Sequence, residues 1–148
     1  MQVTLLYGTE SGSAEVLCED IEAALNGDYD IELADLDEIS PSDLTSDRHY
    51  IFVCSTYGDG ELPASAVSFA DALSADAPDL SQIRFSIFGL GDRTYMQTYN
   101  FGSKQLAEML LAHQATQVGP RGLHDASTNE PPEDIAIPWV KERLAEAG

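Results

Sequence analysis

The chain has 148 residues, of which 43% are hydrophobic, enough for one well-buried core, so we expect a single domain over residues 1–148. Its 26 acidic and 7 basic residues give a net charge of −19, which excludes nucleic acid and anionic membranes as partners and favours a basic face on another protein. Halophilic adaptation is a second explanation for the same acidity.

The residue types that build disulfide or metal sites are few and scattered. Cys18 and Cys54 lie far apart and form no Cys-x-x-Cys pair, so we expect two buried thiols. His49, His113 and His124 have no carboxylate or cysteine at ligand spacing, so no metal site is predicted and the histidines are interpreted as surface or structural residues. No apolar run could span a bilayer and the first residues do not resemble a signal peptide, so we expect a cytoplasmic protein. We also expect it to be a monomer.

Short apolar runs predict the strands. Residues 3–7, 50–54 and 85–90 are rich in branched or aromatic side chains and lead into glycine-containing sequence, as strands buried on both faces of a parallel sheet do. Residues 29–36 alternate apolar and acidic side chains, which favours an edge strand. A last strand is predicted at 115–118.

Helices are predicted between these strands. Residues 14–25 carry apolar side chains at helical spacing and end near Asn26-Gly27, and further helices are expected at 63–75 and 99–113. The tail contains a final helix with Trp139 as a packing residue, and Pro138 either kinks that helix or begins it. Five strands interleaved with helices define an α/β class with a doubly wound parallel sheet, in which ligands bind at the carboxyl ends of the strands.

The loop after the first strand, Gly8-Thr9-Glu10-Ser11-Gly12-Ser13-Ala14, offers hydroxyls and backbone amides at the start of a helix. Such an arrangement binds phosphate, although an ordinary helix start capped by Ser11 or Ser13 with help from Glu15 explains the same residues. The loop lacks the lysine of a nucleotide-hydrolysing loop and the Gly-x-Gly-x-x-Gly of a dinucleotide site. Neutral donors alone suit a phosphate monoester that stays bound.

The loops after the third and fourth strands each contain glycines and a tyrosine. They are Ser55-Thr56-Tyr57-Gly58-Asp59-Gly60-Glu61-Leu62-Pro63 and Gly89-Leu90-Gly91-Asp92-Arg93-Thr94-Tyr95. Each tyrosine alone could be a packing residue. Together with the phosphate loop, Tyr57 and Tyr95 outline a slot for a planar heterocycle that carries a phosphate.

These loops together resemble the three FMN loops of flavodoxins, closest to the FMN domains of diflavin reductases and the small MioC-type flavodoxins. The resemblance covers the whole chain and implies a flavodoxin-like five-stranded sheet of order 2-1-3-4-5 with helices on both faces. It implies non-covalent FMN held by the following residues: Thr9, Glu10, Ser11, Gly12, Ser13, Ala14, Ser55, Thr56, Tyr57, Gly58, Asp59, Gly60, Leu90, Gly91, Asp92, Tyr95, Asn100 and Phe101. His124-Asp125 is a looser match to an acidic patch that borders the flavin.

The resemblance also implies an electron carrier without catalytic residues of its own, since the flavin supplies the redox chemistry. Its expected partners are an NAD(P)H-dependent flavodoxin or ferredoxin reductase and an acceptor such as a cytochrome P450 or a reductively activated metalloenzyme, both docked through an acidic face. Two alternatives are an FMN-dependent NAD(P)H quinone or nitro reductase and an FMN-free interaction scaffold. A response-regulator receiver is disfavoured, because Thr9-Glu10, Ser55-Thr56 and Gly119-Pro120-Arg121 stand where it needs acids, an aspartate and a lysine.

Overall fold

A computed structural model describes residues 2–9, 12–56, 61–91 and 101–147. Within these ranges strands and helices alternate as the sequence predicts. The strands are β1 (Gln2–Gly8), β2 (Asp30–Asp35), β3 (His49–Ser55), β4 (Arg84–Gly91), β5 (Thr116–Gln117) and β6 (Gly122–Asp125). The helices are α1 (Ser13–Leu25), α2 (Ala64–Asp76), α3 (Phe101–Ala112) and α4 (Pro132–Ala147), with short 3-10 turns at Leu36–Glu38 and Pro41–Asp43.

The strands form one parallel sheet of order β2-β1-β3-β4-β5, which confirms the predicted doubly wound order 2-1-3-4-5. The chain passes from β1 to the edge strand β2 and then crosses back to β3 on the other side of β1. This reversal is the topological switch point, where the loops that leave neighbouring strands diverge and make room for a ligand.

The prediction of one last strand at 115–118 was incomplete. β5 pairs only with Arg84 and Phe85 at the start of β4, whereas β6 pairs with residues 88–91 at its end. Between them lie Gly119, which has a φ of 75°, and Pro120, which has no N–H to donate to a ladder. These two residues explain why the fifth position of the sheet is shared by two short strands.

The predicted helices are present, with ends shifted by a residue or two where the structure describes them; residues 99 and 100, at the start of the predicted third helix, lie outside the described residues. Pro138 lies inside α4, which begins at Pro132, so the alternative in which the final helix starts at Pro138 is wrong. The proline is tolerated at an exposed position and leaves one carbonyl, that of Asp134, without its helical partner.

Two apolar layers cover the sheet. On one face α2 and α3 pack over a cluster in which Phe52 contacts the rings of Phe69 and Phe85 at 6.0 and 5.8 Å. On the other face α1 and α4 pack over the opposite side chains of the same central strands, β1, β3 and β4, and the ring of Trp139 lies 5.4 Å from that of Phe88, as a packing residue would. No helix in the described ranges combines the length and the apolar character that crossing a bilayer requires.

Candidate functional site at the carboxyl edge of the sheet

The strand register brings the three predicted loops to one edge of the sheet. Gly8 at the end of β1 lies level with Cys54, and Ser55 at the end of β3 lies level with Leu90. β6 ends at the same edge, because Gly91 pairs with Asp125. The loops that follow β1, β3 and β4 therefore leave the sheet side by side, as the sequence predicts.

The loop after β1 leads into α1 through Gly12, whose φ of 94° is a left-handed conformation that glycine adopts without strain. The Gly12 N–H donates to Thr9 Oγ1 at 2.7 Å, and among the described residues no side chain caps α1. The amides of Ser13, Ala14 and Glu15 are the ones that no turn of α1 can satisfy. Of the two predicted capping residues, Ser13 lies inside α1 and Ser11 lies outside the described residues. An N-terminus that the described residues leave uncapped fits an anion.

Glu15 has a different partner from the one that a capped helix start would give it. Its Oε2 accepts a hydrogen bond from the hydroxyl of Tyr7, 3.1 Å away, across the loop. Burial, together with this carboxylate, raises the pKa of Tyr7 to about 12. The phenol therefore remains protonated at neutral pH and ties the end of β1 to the first turn of α1.

The loop after β3 is attached to the start of α3. Thr56 Oγ1 accepts from the Gly102 N–H at 2.9 Å. A Cβ at position 102 would lie only 2.2 Å from the carbonyl oxygen of Ser55, so only glycine allows this approach. Gly102 is not among the site residues predicted from the sequence, although a glycine in the first turn of a helix is the kind of signal that marks a close contact.

Ser55 contributes the most informative polar atom of the site. Its Oγ is buried and has no hydrogen-bond partner in the described part of the chain, although buried hydroxyls in folded proteins are normally paired. Leu90 and Gly91 lie beside it at the end of β4, and the Gly91 carbonyl accepts from the Ala126 N–H at 2.7 Å. An unpaired hydroxyl at this edge is a group that a bound ligand could satisfy.

Of the predicted site residues, the structure brings together Thr9, Gly12, Ser13, Ala14, Ser55, Thr56, Leu90 and Gly91 at the carboxyl edge, with Phe101, 37% exposed, at the start of α3. The remaining predicted residues lie outside the described residues and stay predictions: Glu10, Ser11, Tyr57, Gly58, Asp59, Gly60, Asp92, Tyr95 and Asn100.

The described donors fit FMN. Hydroxyls of Thr9, Ser13 and Ser55 and the free amides of α1 are neutral groups of the kind that hold a phosphate monoester, and the described loop residues include no lysine or arginine. No group of histidine, cysteine and carboxylate side chains in the described part of the chain could hold a metal ion. Burial raises the pKa of the Cys54 thiol to about 12, so this neighbour of the site stays a protonated thiol.

Fold and site together define a doubly wound α/β protein that receives a phosphorylated ligand where the sheet reverses direction. The sequence profile of the flavodoxin family matches residues 5–139, and the chain belongs to this family. Flavodoxins bind FMN and transfer electrons.

Individual relatives agree with this assignment. Flavodoxin YqcA of Escherichia coli strain K12 is 30% identical over 142 residues, which cover 95% of each chain. A solved variant of flavodoxin from Pseudomonas aeruginosa superposes over all of both chains with a TM-score of 0.85 and 28% identity. NADPH-dependent diflavin oxidoreductase 1 of Emericella nidulans is 32% identical over 140 residues; these cover 92% of this chain, which spans about a fifth of that relative's length.

Proposed function

We propose that this chain acts in the cytoplasm as one monomeric FMN-binding domain that carries electrons from an NAD(P)H-dependent flavodoxin or ferredoxin reductase to an acceptor redox protein. A cytochrome P450 or a reductively activated metalloenzyme is the expected kind of acceptor, and the chain turns over no substrate of its own. The observation that carries the proposal is that a helix N-terminus and a Ser55 hydroxyl, both unpaired among the described residues, lie at the same edge of the sheet, at its switch point.

The residues divide into a phosphate-binding group and a ring-binding group. Thr9, Gly12, Ser13 and Ala14, with Glu10 and Ser11, hold the phosphate through hydroxyls and the amides at the start of α1. The unpaired Ser55 hydroxyl belongs with this phosphate-binding group. The ring-binding group borders the flavin ring: Thr56, Tyr57, Gly58, Asp59, Gly60, Leu90, Gly91, Asp92, Tyr95, Asn100 and Phe101. FMN supplies the redox chemistry when bound, and the protein supplies position and electrostatics.

Two backbone amides of the phosphate loop are already used inside the protein. The Thr9 N–H donates to Ser65 Oγ and the Gly12 N–H donates to Thr9 Oγ1, each at 2.7 Å. The Thr9 hydroxyl accepts through its lone pair and can still donate its own proton to an anion. Thr9 therefore acts on the phosphate through its hydroxyl, and Ser13 and Ala14 act through the amides that α1 leaves free.

Charge supports docking on a basic partner. Residues 1–47, which include β1, α1 and β2, contain no lysine or arginine. All charged side chains of these three elements are therefore acidic. Exposed carboxylates on α1, among them Glu15 and Glu19, belong to this group, and α1 begins at the phosphate loop. Steering by such a field gives fast, weak association that salt screens. Reduction by a basic reductase should therefore slow as the ionic strength rises, and a rate independent of salt contradicts the acidic docking face.

Two serines with buried hydroxyls on neighbouring strands offer a matched test. Ser55 Oγ has no partner among the described residues, so Ser55→Ala should leave the stability of the apoprotein unchanged while weakening FMN binding about ten- to a hundredfold, the loss of one hydrogen bond to a charged group. Ser86 Oγ donates to the Val118 carbonyl and bonds to His49 Nε2, so Ser86→Ala should lower stability and leave FMN affinity unchanged.

The measurements are FMN fluorescence quenching for affinity and urea unfolding for stability. Wild-type protein that binds no FMN while folded contradicts the proposed function. Equal FMN affinity of Ser55→Ala and the wild type contradicts only the role of this hydroxyl.

A further inference from the structure

The phosphate loop is joined to a helix that belongs to a different part of the site. The Thr9 N–H donates to Ser65 Oγ at 2.7 Å, and the Ser65 N–H lies 3.4 Å from the Thr9 carbonyl oxygen. Ser65 is the second residue of α2, the helix that follows the predicted ring-binding loop. One side chain thus contacts the backbone of a loop that is distant in sequence.

The pairing is reciprocal. α2 begins after Pro63, which provides no side-chain cap, so its first amides depend on other acceptors. The Thr9 carbonyl is such an acceptor for the Ser65 N–H, while the Ser65 hydroxyl receives the Thr9 N–H. The phosphate loop therefore contributes to capping α2, and α2 fixes the loop in return.

Close packing sets the position of Ser65. A Cβ at Gly8 would lie 3.0 Å from Ala66 Cβ and 3.2 Å from Leu36 Cδ1, so the first turn of α2 lies directly against the end of β1. Ala66 and Leu36 are both fully buried. The hydroxyl of Ser65 is accordingly presented to Thr9 by a rigid part of the core.

From this geometry we infer that Ser65 is a positioning residue for the phosphate half of the FMN site. Ser65 orients the Thr9 backbone, and the Thr9 hydroxyl in turn accepts a hydrogen bond from the N–H of Gly12, the residue that precedes α1. Through these two consecutive hydrogen bonds, each 2.7 Å long, Ser65 fixes the position of the Thr9 hydroxyl relative to the first amides of α1. The inference rests on the proposed function, since it assigns a determinant of phosphate recognition within the same site.

Two flavins that differ only in the phosphate should respond differently to the loss of Ser65. A residue that orders the phosphate donors should affect FMN, which carries the phosphate, and should spare riboflavin, which does not. Ser65→Ala leaves the Thr9 N–H without its partner, and we expect FMN to bind about tenfold more weakly. Riboflavin affinity should stay within about twofold of the wild-type value, whereas a general loss of structure would weaken both ligands alike.

The experiment compares four proteins by flavin fluorescence quenching with FMN and with riboflavin. Ser65→Thr keeps the hydroxyl and should restore most of the FMN affinity that Ser65→Ala loses. Ser68→Ala is the control, because Ser68 is an exposed serine of the same helix whose hydroxyl bonds to Asp37 Oδ1 at 2.9 Å, away from the loop. It should bind both ligands as the wild type does.

Three results overturn the inference: unchanged FMN affinity in Ser65→Ala, equal weakening of FMN and riboflavin, or a Ser65→Thr variant no better than Ser65→Ala. These results are distinct from failure of the proposed function, in which the wild-type protein itself binds no FMN.

Discussion

Replacing Gly102 with alanine tests whether the start of α3 is held against the end of β3. The new Cβ would lie 2.2 Å from the Ser55 carbonyl oxygen and 3.1 Å from both the Ser55 carbonyl carbon and the Thr56 Cα. All three neighbours are backbone atoms that cannot rotate away. Because ordinary contacts begin near 3.4 Å, α3 and the strand end must separate by about 1 Å.

That displacement has a calculable cost. Overpacking of a tight contact lowers the free energy of unfolding by about 1–3 kcal/mol. Separation also stretches the 2.9 Å hydrogen bond from the Gly102 N–H to Thr56 Oγ1, and a buried donor left unpaired costs about 1–3 kcal/mol more. Helix propensity acts in the opposite direction, since alanine is favoured over glycine by about 1 kcal/mol. The net expectation is a loss of about 3 kcal/mol in the free energy of unfolding.

Urea unfolding of the apoprotein, followed by circular dichroism, measures this value. The sign of the change in unfolding free energy decides between the two effects, because helix propensity alone predicts that Gly102→Ala is about 1 kcal/mol more stable than the wild type. A variant as stable as the wild type, or more stable, refutes the close approach of α3 to β3. Gly27→Ala is the matched glycine control. The φ of 111° at this position strains any side chain, but nothing lies within 4 Å of an added Cβ, so we expect the free energy of unfolding to fall by only about 1–2 kcal/mol.

Three further predictions concern parts of the fold away from the ligand. Burial, with a smaller effect of the Arg84 charge, lowers the pKa of His49 to about 4 from its ordinary 6.5, so the neutral ring contributes stability that is complete above pH 6.5 and is lost as the pH falls towards 4. His49→Gln should remove up to about 3 kcal/mol of the difference between unfolding free energies at pH 7 and pH 4, and an unchanged pH dependence contradicts this. Gly122→Ala should lower the free energy of unfolding by urea by about 2–3 kcal/mol, because the new Cβ would lie 2.5 Å from the Phe88 ring and 2.7 Å from Trp139. An unchanged free energy of unfolding would show that the rings rearrange freely. Phe52→Ala should lower the unfolding free energy by about 3–5 kcal/mol through the cavity left between the rings of Phe69 and Phe85, and a loss below about 1 kcal/mol argues against that cluster.

The sequence was most informative where a pattern is local. The runs at 3–7, 50–54 and 85–90 are strands because their side chains are buried on both sides of a parallel sheet, and such burial leaves a nearly unbroken apolar run. The alternation at 29–36 likewise identified the edge strand β2. Because these patterns locate the strand ends, the sequence alone was enough to predict that the glycine and hydroxyl loops share one edge of the sheet.

What the sequence did not reveal depends on contacts between distant residues. β6 has only the residues Gly-Leu-His-Asp, and its extended form comes from pairing with β4 rather than from its own composition. Ser65 resembles an ordinary residue of a first helical turn, and the glycine at position 102 signals a close contact without showing what it meets. Their importance arises from Thr9 and Ser55, which lie far away in the chain and meet them only in the folded protein.

The most direct test of the account is the flavin content of the folded chain. Apoprotein is mixed with excess FMN, passed through a desalting column, and its visible absorption is compared with its protein concentration. The account predicts one FMN retained per chain and much weaker retention of riboflavin, because the α1 amides and the hydroxyls at the carboxyl edge recognise the phosphate. Folded protein that elutes free of FMN, or that retains riboflavin equally well, contradicts it.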